Sequence, residues 1–165
     1  MTDRPPAQLD RAGIARRIPH SSTMCLLDRL DAWTLAEIRC SAANPGRADH
    51  PLRSASGLLA PCAIEYAAQA MALHGSLLAP AGVAPTPGYI ASVRNVRLAV
   101  LRLDTVPGEL KIHATRLAGG ANEVMYAFSV CAETGAVLAE GRAAVVLDRA
   151  IVSVAHPAAL SESQP

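Results

Sequence analysis

The hydrophobic pattern of the chain changes period along its length, and each change marks an element. From Trp33 to Cys40 the apolar residues Trp33, Leu35, Ile38 and Cys40 come near to alternating with polar ones, the mark of a half-buried strand that Asn44-Pro45-Gly46 stops. Asp49 to Ala60 mixes His, Pro, Ser and Gly without a period and reads as a structured loop ahead of a helix. Pro61 to His74 predicts that helix: Pro suits a first turn, Gly75 can close the end, and Ala, Met and Leu between them are strong helix formers. Its apolar residues Ala63, Ile64, Ala67, Ala68, Ala70, Met71, Ala72 and Leu73 lie all round the axis, so the helix should be enclosed on every side. Glu65 and Gln69 are then expected to be buried or nearly so.

After a Pro/Gly loop over Pro80 to Gly88 the chain reads as β: Tyr89 to Val100, Glu109 to Leu117, Glu123 to Ala132 and Ala136 to Leu147. Pro107-Gly108, Gly119-Gly120 and Thr134-Gly135 supply the turns. An all-round apolar helix needs cover on more than one side, so the expected architecture is α+β, an antiparallel sheet curled around one helix. Residues 1–14 and 151–165 read as loose, polar or Pro-containing tails around one domain over 15–150.

Composition narrows the function. Lys plus Arg (15) and Asp plus Glu (14) nearly cancel, so a formal charge of +1 offers no footprint for nucleic acid or an anionic membrane. Aromatics at 3% leave too few platforms for stacking single-stranded bases, and the core must be aliphatic. Cys25, Cys40, Cys62 and Cys131 form no Cys-x-x-Cys pair, which argues for reduced thiols and against a zinc site. A polar amino terminus without a signal-like apolar run, and no apolar stretch near the roughly 20 residues of a membrane span, predict a cytoplasmic protein. No metal or cofactor is called for.

Glu65 and Gln69 stand four residues apart and therefore share a helix face. A carboxylate in an apolar helix costs several kcal/mol unless it is paired, hydrogen-bonded or protonated. Such a residue is either a structural Glu satisfied by Gln69 or a backbone donor, or a working acid. His50 precedes it by fifteen residues in the loop, and histidine exchanges protons near neutral pH. His20, His74 and His113 make weaker candidates, and no pair of histidines has metal-ligand spacing.

His50-Pro51-Leu52, followed by the helix Cys62-Ala63-Ile64-Glu65-Tyr66-Ala67-Ala68-Gln69-Ala70, resembles the signature of the hotdog-fold 3-hydroxyacyl-(acyl carrier protein) dehydratases: a loop His, then a hydrophobic helix with an acid and, one turn on, a Gln. Ile18-Pro19-His20 running into Cys25-Leu26-Leu27-Asp28-Arg29 resembles their amino-terminal element, and Thr105-Val106-Pro107-Gly108-Glu109-Leu110 their strand-joining turn. Ile64 to Met71, Gly88-Tyr89-Ile90-Ala91-Ser92 and Glu140-Gly141-Arg142-Ala143 look most like the dehydratase-like proteins of aryl-polyene gene clusters.

The resemblance implies that His50 abstracts the α-proton, that Glu65 helps the 3-hydroxyl leave as water, and that Gln69 orients Glu65 or a water. It implies backbone N–H groups at the helix start that hold the thioester oxygen. The chain departs from the family there: Ala60-Pro61 replaces a Pro-Gly turn, and proline has no N–H, so Ala60 and Cys62 are the candidate donors. Substrates in the family are acyl groups on the phosphopantetheine of acyl carrier protein, and the His of one subunit faces the acid of the other. A homodimer, or a heterodimer with a related hotdog subunit, is therefore expected. Two other readings stay open: an acyl thioesterase using Glu65 alone, and a non-catalytic partner of a heterodimeric dehydratase.

Overall fold

The computed structural model describes residues 6–80, 87–120 and 122–147. Its elements run in the order β1 (Leu9–Asp10), α1 (Arg11–Ala15), β2 (Arg29–Trp33), β3 (Glu37–Ala42), α2 (Ala63–Leu78), β4 (Gly88–Leu98), β5 (Leu110–Gly119), β6 (Glu123–Ala132) and β7 (Val137–Leu147). The strands form one antiparallel sheet in the order β1-β2-β3-β5-β6-β7-β4. It curls around α2, an α+β hotdog arrangement.

The core follows from strand alternation. Every second residue of β6 (Val124, Tyr126, Phe128, Val130, Ala132) is buried, as are Leu110, Ile112 and Ala114 of β5 and Ile38, Cys40 and Ala42 of β3. These inward rows meet Tyr66, Ala67, Ala70, Leu73 and Leu77 of α2. On β7, Gly141 stands opposite Phe128, and a Cβ there would lie 3.0 Å from the ring, so glycine gives the ring its seat.

Three expectations are corrected. The strand read over Trp33 to Cys40 is two, β2 and β3, because the Thr34 hydroxyl accepts from the amides of Ala36 and Glu37 and closes a tight turn with Leu35 exposed at its tip. The helix passes Gly75 and ends at Leu78: Gly75 is solvent-exposed with no neighbour crowding it, and one glycine costs a helix too little to stop it. Leu9 to Ile14, read as tail, lie in β1 and in α1, whose start is capped by Asp10 Oδ1 accepting from Gly13 N at 2.8 Å. The loop over Pro80 to Gly88 lies largely outside the described residues, and the expected tail over 151–165 wholly so.

Among the described residues β4 is an edge strand paired only with β7. It leaves Tyr89, Ile90, Val96 and Leu98 exposed. Asn95, at φ 54°, sits in a bulge between Arg94 and Arg97. No helix among the described residues is long and apolar enough to cross a membrane.

Candidate active site

α2 is nearly enclosed, with one opening. Glu65, Ala68 and Ala72 are half-buried and lie at helical spacings on one stripe, whereas Tyr66, Ala67, Gln69, Ala70 and Leu73 are buried. Glu65 is thus less covered than its surroundings in the sequence imply: its side chain keeps 32% exposure because the stripe faces away from the chain's own sheet. Gln69 is fully buried. Its Oε1 accepts from Leu26 N at 2.8 Å, and its Nε2 donates to Met24 O at 2.8 Å and to Glu65 Oε1 at 2.9 Å. Those contacts fix the amide orientation, since Leu26 N offers a hydrogen only to the oxygen.

A histidine also stands beside the same carboxylate. His20 Nε2 lies 3.1 Å from Glu65 Oε1, while His20 Nδ1 is buried without a hydrogen-bond partner among the described residues. His20 comes from the segment between α1 and β2, where Ile18 is buried and its amide closes the last turn of α1 by donating to Ile14 O at 3.2 Å. Sequence reasoning set His20 aside. The signal that marks it is the Ile18-Pro19-His20 string just ahead of the buried run Cys25 to Leu27.

His50 is buried and stands apart from Glu65: no hydrogen bond joins them within the chain. Its Nδ1 accepts from Leu52 N at 3.1 Å, so the ring hydrogen belongs on Nε2, which lies 2.8 Å from the Tyr66 hydroxyl. The bond from Nε2 then runs to the Tyr66 oxygen and leaves the phenolic hydrogen uncommitted. Burial, helped by the nearby Arg47 charge, pushes the His50 pKa down, and burial pushes that of Tyr66 up, so both stay neutral around pH 7. The loop is tethered by Arg53, which pairs with Asp104 at 2.9 Å beside Arg102. Tyr66 is a second residue that sequence reasoning passed over; being next to Glu65 on an apolar helix was its one signal.

The expected oxyanion donors are engaged within the chain. Ala60 N donates to Leu101 O at 2.9 Å, and Cys62 N closes a 3₁₀ turn to Leu59 O at 3.0 Å. The Ala63 amide is likewise spent on Ala60 and Pro61 carbonyls. The tight turn Ala60–Cys62 ahead of α2 therefore consumes the N–H groups that an open helix start would offer. Gln69 touches Glu65, but its burial keeps it from an acyl group. Among the described residues no group of His, Cys, Asp and Glu is placed to hold a metal ion.

A buried histidine also lies on the far side of α2. His74 Nε2 bonds Thr34 O at 2.8 Å and its Nδ1 meets the Tyr126 hydroxyl at 3.0 Å, which ties the helix to the β2–β3 turn and to β6. Both ring nitrogens are satisfied there, so it is a structural clamp.

A family model described as ApeP-like, ApeP dehydratase, matches residues 12–157. No curated protein matches the chain. The solved dehydratase heterocomplex ApeI:P from Xenorhabdus doucetiae is similar at 19% identity over 87% of this chain and 97% of that one, with a TM-score of 0.67. A thioesterase from Haemophilus influenzae is similar at 15% identity over 85% and 91%, TM-score 0.61. A Staphylococcus aureus thioesterase follows at 12% over 72% and 91%, TM-score 0.56. At these identities the structures share the fold.

Proposed function

Because the chain belongs to the ApeP-like family of dehydratases, we propose that it takes part in converting 3-hydroxyacyl thioesters on acyl carrier protein to trans-2-enoyl thioesters, in fatty-acid-like or aryl polyene biosynthesis. Glu65 carries this reading: a half-exposed carboxylate on the central helix, held from behind by Gln69 and open along one stripe. The reaction breaks the C2–H bond and the C3–O bond, and the proton lost from C2 is balanced by one given to the leaving hydroxyl. Glu65 is the group we assign to the departing hydroxyl, and His50 to the α-proton.

His50 must first change state for that role. Its Nε2 carries the ring hydrogen, so it accepts a proton there only after the Leu52 amide lets go of Nδ1 and the hydrogen moves to Nδ1. A partner subunit, laid along the edge of β4 and over the stripe of Glu65, Ala68 and Ala72, supplies the second half of the site in this reading. The exposed apolar residues of β4 support such a partner, a second copy or a related hotdog subunit.

The engaged amides of Ala60 and Cys62 and the His50 tautomer favour a second reading, in which the chain completes a heterodimeric dehydratase whose reacting groups come largely from the other subunit. One experiment separates the two. A 3-hydroxyacyl carrier protein is incubated with the chain alone and with a related hotdog subunit, and the loss of one water is followed by mass spectrometry for wild type, His50→Ala and Glu65→Gln. Loss of turnover in both variants supports the pair. Wild-type turnover in either variant removes that residue from the assignment, turnover only with the second subunit supports the partner role, and release of free thiol instead of enoyl product identifies a hydrolase.

A further inference from the structure

β4 has two unlike faces. Cross-strand partners share a side of the sheet, so Val93 opposite the buried Ala143 and Leu98 opposite the buried Ala139 lie on the core side, where Ile90 opposite Val145 joins them. Arg94 opposite Arg142 and Arg97 opposite Glu140 lie on the outer side. From Gly88 to Leu98 the strand carries no acid, and none of its residues is buried. Among the described residues Arg97 meets Glu140 at 3.7 Å with its side chain still 83% exposed, and neither Arg94 nor Arg142 has an acidic partner. Two like charges directly across a ladder oppose its pairing, and no acid of the chain offsets them among the described residues.

We propose that the free edge of β4 selects a partner subunit whose own edge strand carries Asp or Glu on the outer side and apolar residues on the core side. Arg94 and Arg97 thereby disfavour pairing with a second copy of this chain.

The preference holds whatever the register. A second copy laid along β4, in either direction, brings two more arginines and no acid to the outer side of the seam. Its Glu140 stands on β7, two strand spacings or about 10 Å from the first copy's β4. The apolar side chains favour cover of some kind, because Tyr89, Ile90, Val96 and Leu98 are exposed along an open row of backbone N–H and C=O groups. Charge then decides which strand provides it. Arginines brought together where water is lost repel, whereas an acid placed there meets Arg94, which has no other counter-charge. Arginines on an edge also serve as guards that keep every strand away, but a guarded edge gains nothing from four large exposed apolar side chains in the same strand.

The inference rests on the reading of β4 as the seam between subunits, and its test reads association, not turnover. Arg94→Glu combined with Arg97→Glu turns the edge acidic, so wild type and variant become complementary partners of one fold. Each chain alone and the equimolar mixture are followed by sedimentation velocity at about 50 mM and about 500 mM sodium chloride. At low salt the mixture should form a complex at least about tenfold tighter than either chain forms with itself, and high salt should erase most of that advantage. Wild type alone should associate more tightly at high salt than at low.

Arg97→Glu sets an acid beside Glu140, so a second variant covers the case in which the double variant unfolds. Arg94→Glu alone keeps the Arg97–Glu140 pair and gives the edge both signs, and it should self-associate more tightly than wild type at low salt. Wild type that self-associates at low salt as tightly as the mixture or as Arg94→Glu overturns the charge selection and leaves β4 as a seam. No complex in the mixture or in Arg94→Glu at either salt overturns the seam as well, and the arginines are then guards of a bare edge.

Discussion

Replacing Gln69 with Met tests whether the amide that holds Glu65 is also a structural tie. Methionine is close to isosteric and apolar, so Gln69→Met keeps the volume and removes the hydrogen bonds. The Leu26 N–H, inside the core, loses its acceptor, and the partly exposed Met24 carbonyl loses its donor. A buried orphan costs about 1–3 kcal/mol, and a half-exposed one that water partly satisfies about half of that, for a total near 2–4 kcal/mol. For a chain of 165 residues each kcal/mol moves Tm by about 2–4 °C, so Tm should fall by about 4–16 °C. Calorimetry and guanidinium titration with an unchanged slope would register the loss as stability. A Tm within about 2 °C of wild type would refute the reasoning, because it would mean that Leu26 and Met24 find other partners at no cost. The same variant should free the Glu65 carboxylate on one side and lower turnover alongside stability.

Other outcomes follow from other parts of the fold. Burial lowers the pKa of both His50 and His74, so below about pH 6.5 the unfolded chain binds protons that the folded chain resists, and stability must fall as pH drops. The slope is at most about 2.7 kcal/mol per pH unit for the two rings. Urea titrations between pH 7.5 and 5.5 should show it, more weakly in His74→Gln, and a flat profile would contradict it. Val96→Lys on the exposed edge of β4 should abolish self-association or pairing with a related subunit in sedimentation, and an unchanged association state would move the partner elsewhere. Gly141→Val should cost about 1–3 kcal/mol, since a Cβ would meet the Phe128 ring at 3.0 Å and the Arg94 carbonyl at 3.3 Å, and unaltered thermal unfolding would show that the ring yields freely.

The sheet and its helix were legible because their signals are local. β6 alternates without interruption and has the range expected of it, and α2 is rich enough in Ala, Leu and Met to be read from composition. Boundaries failed where a single side chain decides: the Thr34 hydroxyl splits one expected strand into two, and Gly75 is absorbed by a helix that outer contacts do not oppose. The position of β4 beside β7 was not legible at all, since sheet order depends on pairings far apart in sequence that no period reveals.

The site was legible by residue type and illegible by partner. Glu65 announced itself as a carboxylate in an apolar helix, and Gln69 as its neighbour one turn on, because helical spacing alone brings i and i+4 together. His20 lies 45 residues before Glu65, and only the fold carries it there. His50 could be named from the resemblance, yet its tautomer is set by the Leu52 amide and by Tyr66, two contacts with no trace in composition or spacing. The histidine expected to take a proton holds its hydrogen toward Tyr66, and the one set aside stands 3.1 Å from Glu65 Oε1.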